Sequence, residues 1–408
     1  MTRSQHPALA SKIILTADER KPYLREDAFN GVICFSHLRW DFVYQRPQHI
    51  MSRMSNHYPV WFIEEPVDVN ERQARLDVRR SPTGPIVVVP CLPVGTVLER
   101  DAAEKRLIDL LVSETGLERY LLWFYTPIAM PCAPSLTPVA TVYDCMDELS
   151  AFKGAPASLQ LAERALLAKA NLVFAGGRSL YEAKRRHHRA VHLFPSSVDV
   201  AHFRQAREAL PEPDIQRAIP HPRVGFFGVV DERFDTGLLR EAAAARPDIQ
   251  FVVIGPVVKI DRTELPQSPN IHYLGKQAYT DLPAFLAHWA IAMMPFALNA
   301  STRFISPTKT PEYLAGGRLV VSTAVPDVVH RYGGSRAIRI VNACKNITSL
   351  SSFVEALDDA LEQSADRLTV EQAADEALLG MSWDDTFEQM HDVVLQALDR
   401  GHEVSDAQ

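Results

Sequence analysis

The sequence predicts an α/β protein made of two Rossmann-like, doubly wound parallel-sheet domains that face each other across a cleft. Three observations predict this fold. The chain has 408 residues, which is too many for one ordinary hydrophobic core. Short apolar segments alternate with amphipathic helical segments along both halves of the chain. A polar, proline-containing stretch separates the two halves, and no single-domain arrangement requires such a break.

The first half carries seven short apolar segments, each of the length expected for a covered strand. The predicted strands cover 32–35, 60–63, 86–89, 121–125, 140–143, 172–174 and 191–194. Predicted helices cover 47–54, 102–111 and 159–168, and another begins at Ser179. We therefore predict a polar, mobile lead-in at 1–28 and an N-terminal domain at 29–205.

The linker is predicted at 206–222, where four prolines stand in a polar stretch and should keep the chain extended and helix-free. A second α/β series follows at 223–380. Its predicted strands cover 224–227, 251–254, 271–274, 291–294, 319–321 and 338–341, with helices at 236–245, 281–289 and around Glu312. A final helix and tail occupy 381–408, with Ser382 as the N-cap and apolar residues at helical spacing behind it.

Composition narrows the class of protein. Hydrophobic residues make up 47% of the chain and charged residues 23%, as in a soluble globular protein, and the net charge of −7 disfavours a general nucleic-acid binder. No apolar run reaches the length that spans a bilayer, and the first residues lack the apolar core of a signal peptide. The five cysteines are scattered, which predicts reduced thiols in a cytoplasmic protein without a disulfide frame or zinc site.

The segment 306–323 is the most informative part of the sequence because it predicts a loop, a short helix, a glycine turn and a buried strand. Thr310 can cap the helix with Pro311 at the first helical position, where a missing N–H costs nothing. Thr308 is the alternative cap, with Pro311 later in the first turn. Either arrangement leaves free N–H groups at the helix start, which attract phosphate.

The same segment supplies charges that suit a nucleotide sugar. Lys309 adds a cation beside the helix start, together with the backbone of Ser306, Pro307 and Thr308. Glu312 follows within the helix, where a carboxylate can bind a diol. An ordinary helix cap in an α/β domain is the alternative interpretation.

From Pro307 to Gly317, the order Pro-x-Lys-x-x-Glu-Tyr-Leu-Ala-x-Gly resembles the donor-site signature of retaining, family 4-like (group 1) GT-B glycosyltransferases, which include many bacterial polysaccharide enzymes. The resemblance covers most of 29–400. It implies that Glu312 binds the ribose hydroxyls of a UDP- or GDP-type donor. It also implies retention of configuration, no required metal and a final helix that crosses back to the N-terminal domain. Many relatives carry a second glutamate where this chain has Phe304.

Other donor-site candidates lie in the second half. Gly228 follows the first strand, where a glycine lets the backbone approach a phosphate, and Arg233 could bind the same phosphate through two nitrogens. Many relatives place arginine directly after this glycine, so an ordinary surface arginine is the alternative. Tyr279 belongs to a segment that resembles the one lining the nucleotide base. No Gly-x-Gly-x-x-Gly follows either first strand, which disfavours a nicotinamide cofactor.

The predicted catalytic and acceptor-binding residues lie in the first half. Asp144 and Asp147 follow a strand, where they could orient acceptor hydroxyls or stabilise a positive sugar centre; helix capping is the alternative. His37 is a further catalytic candidate, although a lone loop histidine is often an ordinary polar residue. An indole stacks on sugars and arginine binds anions. The acceptor candidates are therefore Arg39, Trp40, Asp41 and Arg46.

The predicted function is transfer of a sugar from a nucleoside diphosphate sugar to a saccharide or lipid-linked hydroxyl, in bacterial cell-surface polysaccharide synthesis. A sugar-nucleotide epimerase and a non-catalytic nucleotide-sugar-binding protein are the alternatives. The basic run 184–189 could contact the anionic inner face of a membrane, whereas a solvated helix end is the simpler interpretation. The sequence does not predict the oligomeric state.

Overall fold

The computed structural model describes residues 28–95, 100–341, 343–344, 347–348 and 350–406. The predicted lead-in therefore lies outside the described residues, apart from Ala28. The elements of the first half are β1 (Gly31–Ser36), α1 (Arg46–Met54), β2 (Val60–Glu64), β3 (Val67–Val69), β4 (Arg75–Arg80), β5 (Ile86–Pro93), α2 (Arg100–Thr115), β6 (Tyr120–Phe124), β7 (Ala140–Cys145), α3 (Ser158–Lys169), β8 (Leu172–Ala175), α4 (Arg178–Lys184) and β9 (Val191–Leu193).

These strands form one sheet in the order β3-β5-β2-β1-β6-β7-β8-β9, and β4 pairs antiparallel with β5. The remaining neighbours are parallel, as predicted. Both faces of the sheet are covered, so alternate residues of a strand enter different cores. Val32 and Cys34 of β1 pack on one side, whereas Ile33 and Phe35 pack on the other.

The second half continues with α5 (Val200–Arg204), α6 (Asp214–Arg217), β10 (Arg223–Phe227), α7 (Thr236–Ala245), β11 (Gln250–Ile254), β12 (Ile271–Gly275), α8 (Leu282–Ala287), β13 (Ile291–Met294), α9 (Lys309–Ala315), β14 (Val320–Thr323), α10 (Pro326–Tyr332), β15 (Ile338–Val341), β16 (Ala343–Cys344), β17 (Ile347–Thr348), α11 (Leu350–Gln363), α12 (Arg367–Ala377) and α13 (Trp383–Asp406). Strands β10 to β15 form a parallel sheet in the order β12-β11-β10-β13-β14-β15. The two-sheet α/β prediction is confirmed.

The prediction of a helix-free linker is wrong. A 3-10 turn covers Gln205–Arg207, and α6 lies in the middle of the stretch. Pro213 directly precedes α6, at a position where proline does not interrupt a helix. The buried Gln216 of α6 accepts a hydrogen bond from Trp289 Nε1 at 2.8 Å, so this stretch is anchored to the second half.

The final helix crosses back to the first half, as the resemblance implied. Ser382 Oγ accepts a hydrogen bond from the Asp385 N–H at 2.9 Å, which confirms the predicted cap. Buried residues of α13 then enter the core beside α1. They are Trp383, Phe387, Met390, Val394 and Leu398. None of the helices in the described part of the chain is both long and apolar enough to cross a bilayer.

A second contact between the halves joins α4 to the start of α10. The Asp327 carboxylate accepts hydrogen bonds from the Ser179 N–H at 3.0 Å and from Ser179 Oγ at 2.5 Å. Gly177 precedes α4, and a Cβ there would overlap the same carboxylate. The glycine therefore allows the two halves to approach closely at this edge of the cleft.

Candidate active site

A cavity of about 530 Å³ lies between the two halves, beside the carboxyl ends of β10 and β11. Open α/β sheets bind ligands at this end of their strands. The second half contributes Phe227, Gly228, 254–256, 276–279, Leu282 and Lys309 to its walls, and the first half contributes 40–44 and 81–83. The cavity therefore brings together predicted residues from both halves.

Helix α9 begins at Lys309, with Thr308 at the N-cap position, so the second of the two capping arrangements is the one observed. The Thr308 side chain makes no capping hydrogen bond. Thr310 is fully buried inside the first turn, and its hydroxyl lacks a hydrogen-bond partner among the described residues. Pro311 is the third helical residue, where its missing N–H still costs nothing.

Glu312 and Lys309 form an ion pair, with Lys309 Nζ 2.9 Å from Glu312 Oε2. The glutamate is only 2% exposed, and burial raises the pKa of its carboxyl against the opposing effect of Lys309. Lys309 lines the cavity, whereas Glu312 lies behind the lining residues. A ribose ring would therefore reach the Glu312 carboxylate only after the lysine side chain moves aside.

Two glycine turns close the strand ends beside this pair. Gly228 has φ 157°, and a Cβ on Gly255 would overlap the Gly228 carbonyl oxygen. Only a backbone without side chains allows so close an approach. The Arg233 guanidinium follows the first turn and is held by the Asp231 carboxylate, at 2.9 Å from Nε and 2.7 Å from Nη2.

A third cation, Lys259, was not predicted from the sequence and comes from the loop after β11. Lys259 adopts a left-handed backbone with φ 63°, which is uncommon for a residue other than glycine. Its Nζ lies 4.9 Å from the centroid of the Phe152 ring, and Arg233 Cζ lies 5.4 Å from the same centroid. Phe152 belongs to the first half, so two cations of the second half meet one aromatic ring across the cleft.

Asp147 and His37 lie in the electric field of these cations. Burial raises the pKa of Asp147 to about 6, although Arg233 and Lys259 oppose the change. Burial lowers the pKa of His37 to about 4, and Lys259 adds to the decrease. The His37 ring is therefore neutral near pH 7, and its Nδ1 has no hydrogen-bond partner among the residues that the structure describes.

Comparisons with known proteins agree with this architecture. No family model matches the sequence. TuaH of Bacillus subtilis (strain 168), assigned to teichuronic acid biosynthesis as a glycosyltransferase, is 24% identical over 276 residues, covering 62% of this chain and 69% of TuaH. The solved structure of sucrose-phosphate synthase from Thermosynechococcus elongatus superposes with a TM-score of 0.68 at 13% identity, covering 91% of this chain and all of the synthase. The chain has the GT-B fold.

A second GT-B structure shows a sugar phosphate bound to this architecture. The UDP-forming α,α-trehalose-phosphate synthase from Burkholderia xenovorans, solved in complex with glucose-6-phosphate, superposes with a TM-score of 0.64 at 13% identity. The match covers 90% of this chain and the whole synthase. At these identities the structural likeness establishes the fold, and the chemistry must be argued from this chain's own residues.

Two predicted site residues do not reach the GT-B cleft. Asp144 and Arg46 are fully buried and form an ion pair at 2.8 Å, and Arg46 Nη1 also donates to the Phe194 carbonyl oxygen at 2.6 Å. Burial raises the pKa of Asp144, against the effect of Arg46. The catalytic prediction for Asp144 and the acceptor-binding prediction for Arg46 are therefore wrong. Asp144 still lies within β7 and faces the core under α1 and α13, whereas Asp147 lies beyond the strand end.

The other predicted acceptor residues serve mainly to shape the loop after β1. Arg39 Nη1 contacts Glu64 Oε2 at 2.9 Å, and the 5% exposed Trp40 donates through Nε1 to Ser81 Oγ at 2.8 Å. The Asp41 carboxylate pairs with Arg79, and its carbonyl oxygen accepts a hydrogen bond from Lys276 Nζ at 3.0 Å. Trp40 and Asp41 line the interdomain cavity together with the donor candidates Gly228, Tyr279 and Lys309, and acceptor binding by them stays a prediction.

Tyr279 lies in the cavity wall, where the sequence placed it, and its ring stacks on His202 with centroids 4.4 Å apart. Its buried hydroxyl has no hydrogen-bond partner within the described part of the chain. Ser306 and Pro307 lead into α9, and the Ser306 side chain lies close to Gly177 of the first half. Phe304, at the position of the missing glutamate, packs against a core cluster of the first half.

Proposed function

We propose that this protein is a glycosyltransferase that moves a sugar from a UDP-sugar to a saccharide hydroxyl during bacterial cell-surface polysaccharide synthesis. One observation carries the proposal: Lys309 lines the interdomain cavity, and Arg233 and Lys259, from the loops after β10 and β11, meet Phe152 of the first half across the cleft. Two loops and the start of α9 thus supply three cations, which suit the two negative charges of a diphosphate. The UDP-forming neighbour and the relative TuaH support this class of donor and pathway.

The proposed mechanism uses this chain's side chains as the source of positive charge. Substitution at the anomeric carbon leaves a diphosphate, and cations placed where that charge develops stabilise the transition state. Arg233 and Lys259 would hold the diphosphate, and Lys309 would exchange its contact with Glu312 for a phosphate oxygen. Glu312 would then be free to accept hydrogen bonds from the ribose. No metal is required in this scheme, and Tyr279 would lie beside the base.

The first half would bind the acceptor. A lipid-linked saccharide at the cytoplasmic face of the membrane is one such acceptor. The basic run 184–189, at the end of α4, supports a peripheral contact with the membrane in part. Arg185, Arg186 and Arg189 are exposed and could meet anionic headgroups. Lys184 takes no part, because it is buried and paired with Glu148 and Glu163, each at 2.7 Å.

The test is nucleotide release from UDP- and GDP-sugars with and without saccharide acceptors. Acceptor-dependent release of UDP, together with a new glycoside, is the expected result. Free nucleotide with an isomerised sugar would indicate an epimerase instead. Donor binding without any turnover would indicate a non-catalytic binding protein.

Glu312→Ala should weaken donor binding by about 1–3 kcal/mol, because the ribose loses hydrogen bonds to a charged acceptor. Calorimetry with the donor and with UDP alone measures the loss. Glu362→Ala, which removes an exposed carboxylate from α11, is the matched control and should leave donor affinity unchanged. Equal donor affinity in both variants would remove Glu312 from the site.

The Asp147 carboxyl predicts how kcat/KM depends on pH. Its carboxyl is protonated at low pH and ionises as the pH rises through about 6. The ionised form is the one that can accept a proton or stabilise a positive sugar centre, so kcat/KM should rise through the same range. Asp147→Asn should lower the rate and abolish this limb of the profile. A profile that keeps the limb in this variant would assign it to another group.

A further inference from the structure

A second cavity, of about 330 Å³, lies within the first half at the carboxyl ends of β1 and β2 and in the segment after β6. The sheet order β5-β2-β1-β6-β7 reverses its direction of growth between β1 and β6. Such a switch point opens a crevice where α/β sheets bind ligands. The cavity is distinct from the interdomain one, and none of the residues named so far as donor-site candidates lines it.

The walls of this second cavity are acidic. Glu64, Glu65, Asp101 and Glu104 line it, together with Arg100. Arg100 is itself paired with Asp68, at 2.5 Å from Nη1 to Oδ1, and Glu64 is neutralised by Arg39. The cavity therefore presents carboxylates without a free cation among its described lining residues.

Besides the exposed Asp101, two of these carboxylates, those of Glu65 and Glu104, have no ion-pair partner among the described residues. Glu104 is only 8% exposed. Burial raises the pKa of both carboxyls, and the neighbouring Cys132 thiol opposes the change at Glu104. A buried carboxyl group without a cation is costly unless a ligand supplies hydrogen-bond donors. Hydroxyl groups of a sugar are such donors.

The second cavity also adjoins the cleft. Glu64, in the wall of the second cavity, accepts a hydrogen bond at 2.8 Å from the N–H of Trp40, which lines the interdomain cavity. A sugar bound against Glu65 and Glu104 would therefore lie close to the interdomain cavity.

We propose that the second cavity is the acceptor subsite, and that Glu65 and Glu104 select an uncharged sugar and reject a phosphorylated one. The inference rests on the proposed transferase function and adds the acceptor's chemical class to it. A phosphate group in this cavity would meet the unpaired carboxylates of Glu65, Asp101 and Glu104, whereas Arg100, the cation among the described lining residues, is already paired with Asp68. The preference would thus oppose that of the Burkholderia xenovorans neighbour, which was solved with glucose-6-phosphate.

The test compares glucose with glucose-6-phosphate on the full chain, by calorimetry in the presence of UDP and as acceptors in the UDP-release assay with UDP-glucose. Glucose should bind more tightly by about tenfold or more, because the phosphate is repelled at short range. The variant Glu65→Gln/Glu104→Gln keeps the size of both side chains and should reduce this preference by about tenfold. Glu114→Gln, an exposed change on the same helix as Glu104, should leave it unchanged.

Equal or tighter binding of glucose-6-phosphate would overturn the inference, as would failure of either sugar to bind. A preference for glucose that survives in the double glutamine variant would overturn the role of the two glutamates. UDP release with other saccharide acceptors separates these failures from failure of the proposed function. If the inference alone fails, another saccharide acceptor still causes release of UDP from a UDP-sugar; if the proposed function fails, no acceptor does.

Discussion

Arg46→Ala should lower the free energy of unfolding by about 3–5 kcal/mol, the usual loss when one partner of a buried ion pair is removed. Arg46 is 1% exposed and Asp144 is fully buried, so the substitution leaves a carboxylate in the core without its cation. The Phe194 carbonyl oxygen loses its donor as well. Urea denaturation monitored by tryptophan fluorescence measures the loss, since Trp123 lies in the same core.

The control uses the exposed ion pair between Arg53 of the same helix and Asp384, whose side chain is 74% exposed. Arg53→Ala should cost only about 0.2–1 kcal/mol, because water already screens that pair. The double variant Arg46→Leu/Asp144→Leu should recover much of the stability that the single variant loses. A loss below about 1 kcal/mol in Arg46→Ala would contradict the assignment of this pair to the core.

Arg233→Ala and Lys259→Ala should each reduce kcat/KM by about 10²–10³-fold, the effect of removing one preorganised charge donor from a transition state. The two cations approach the same ring from different loops, and we assign both to the departing diphosphate. Steady-state kinetics of UDP release measures the effect. Arg233→Lys should recover only part of the rate, because it keeps the charge and loses the paired nitrogens.

Arg262→Ala is the matched control for Lys259, because Arg262 is an exposed cation three residues further along the same loop. It should leave kcat/KM unchanged. If Lys259→Ala behaves like Arg262→Ala while Arg233→Ala is impaired, the diphosphate depends on Arg233 and not on Lys259.

Sequence periodicity was sufficient for most of the fold because covered parallel strands are short, apolar and bounded by turns. The same criterion missed β3 and β4, whose sequences Val67–Val69 and Arg75–Arg80 contain exposed charged residues. Such strands form because β5 offers them a pairing edge, which is a property of the tertiary structure. The prediction of a helix-free linker failed for a related reason, since the prolines flank the short helix and do not interrupt it.

The candidate site was predictable where one short segment carries it, as in the helix that places Lys309 in the cavity wall and Glu312 behind it. It was not predictable where the direction of a side chain decides whether that side chain reaches the cleft. Asp144 and Asp147 look alike in the sequence, yet a strand that ends one residue after Asp144 leaves that carboxylate in the core. Lys259 belongs to no motif, because its position depends on a left-handed backbone in a loop.

The hydrogen bonds between Ser179 and Asp327 bear on the timing of a catalytic cycle. They hold the start of α10 in the second half against the first turn of α4 in the first half. Any movement that separates the two halves must therefore break these hydrogen bonds. Weakening the contact between Ser179 and Asp327 should therefore change the rate of product release more than the rate of the chemical step.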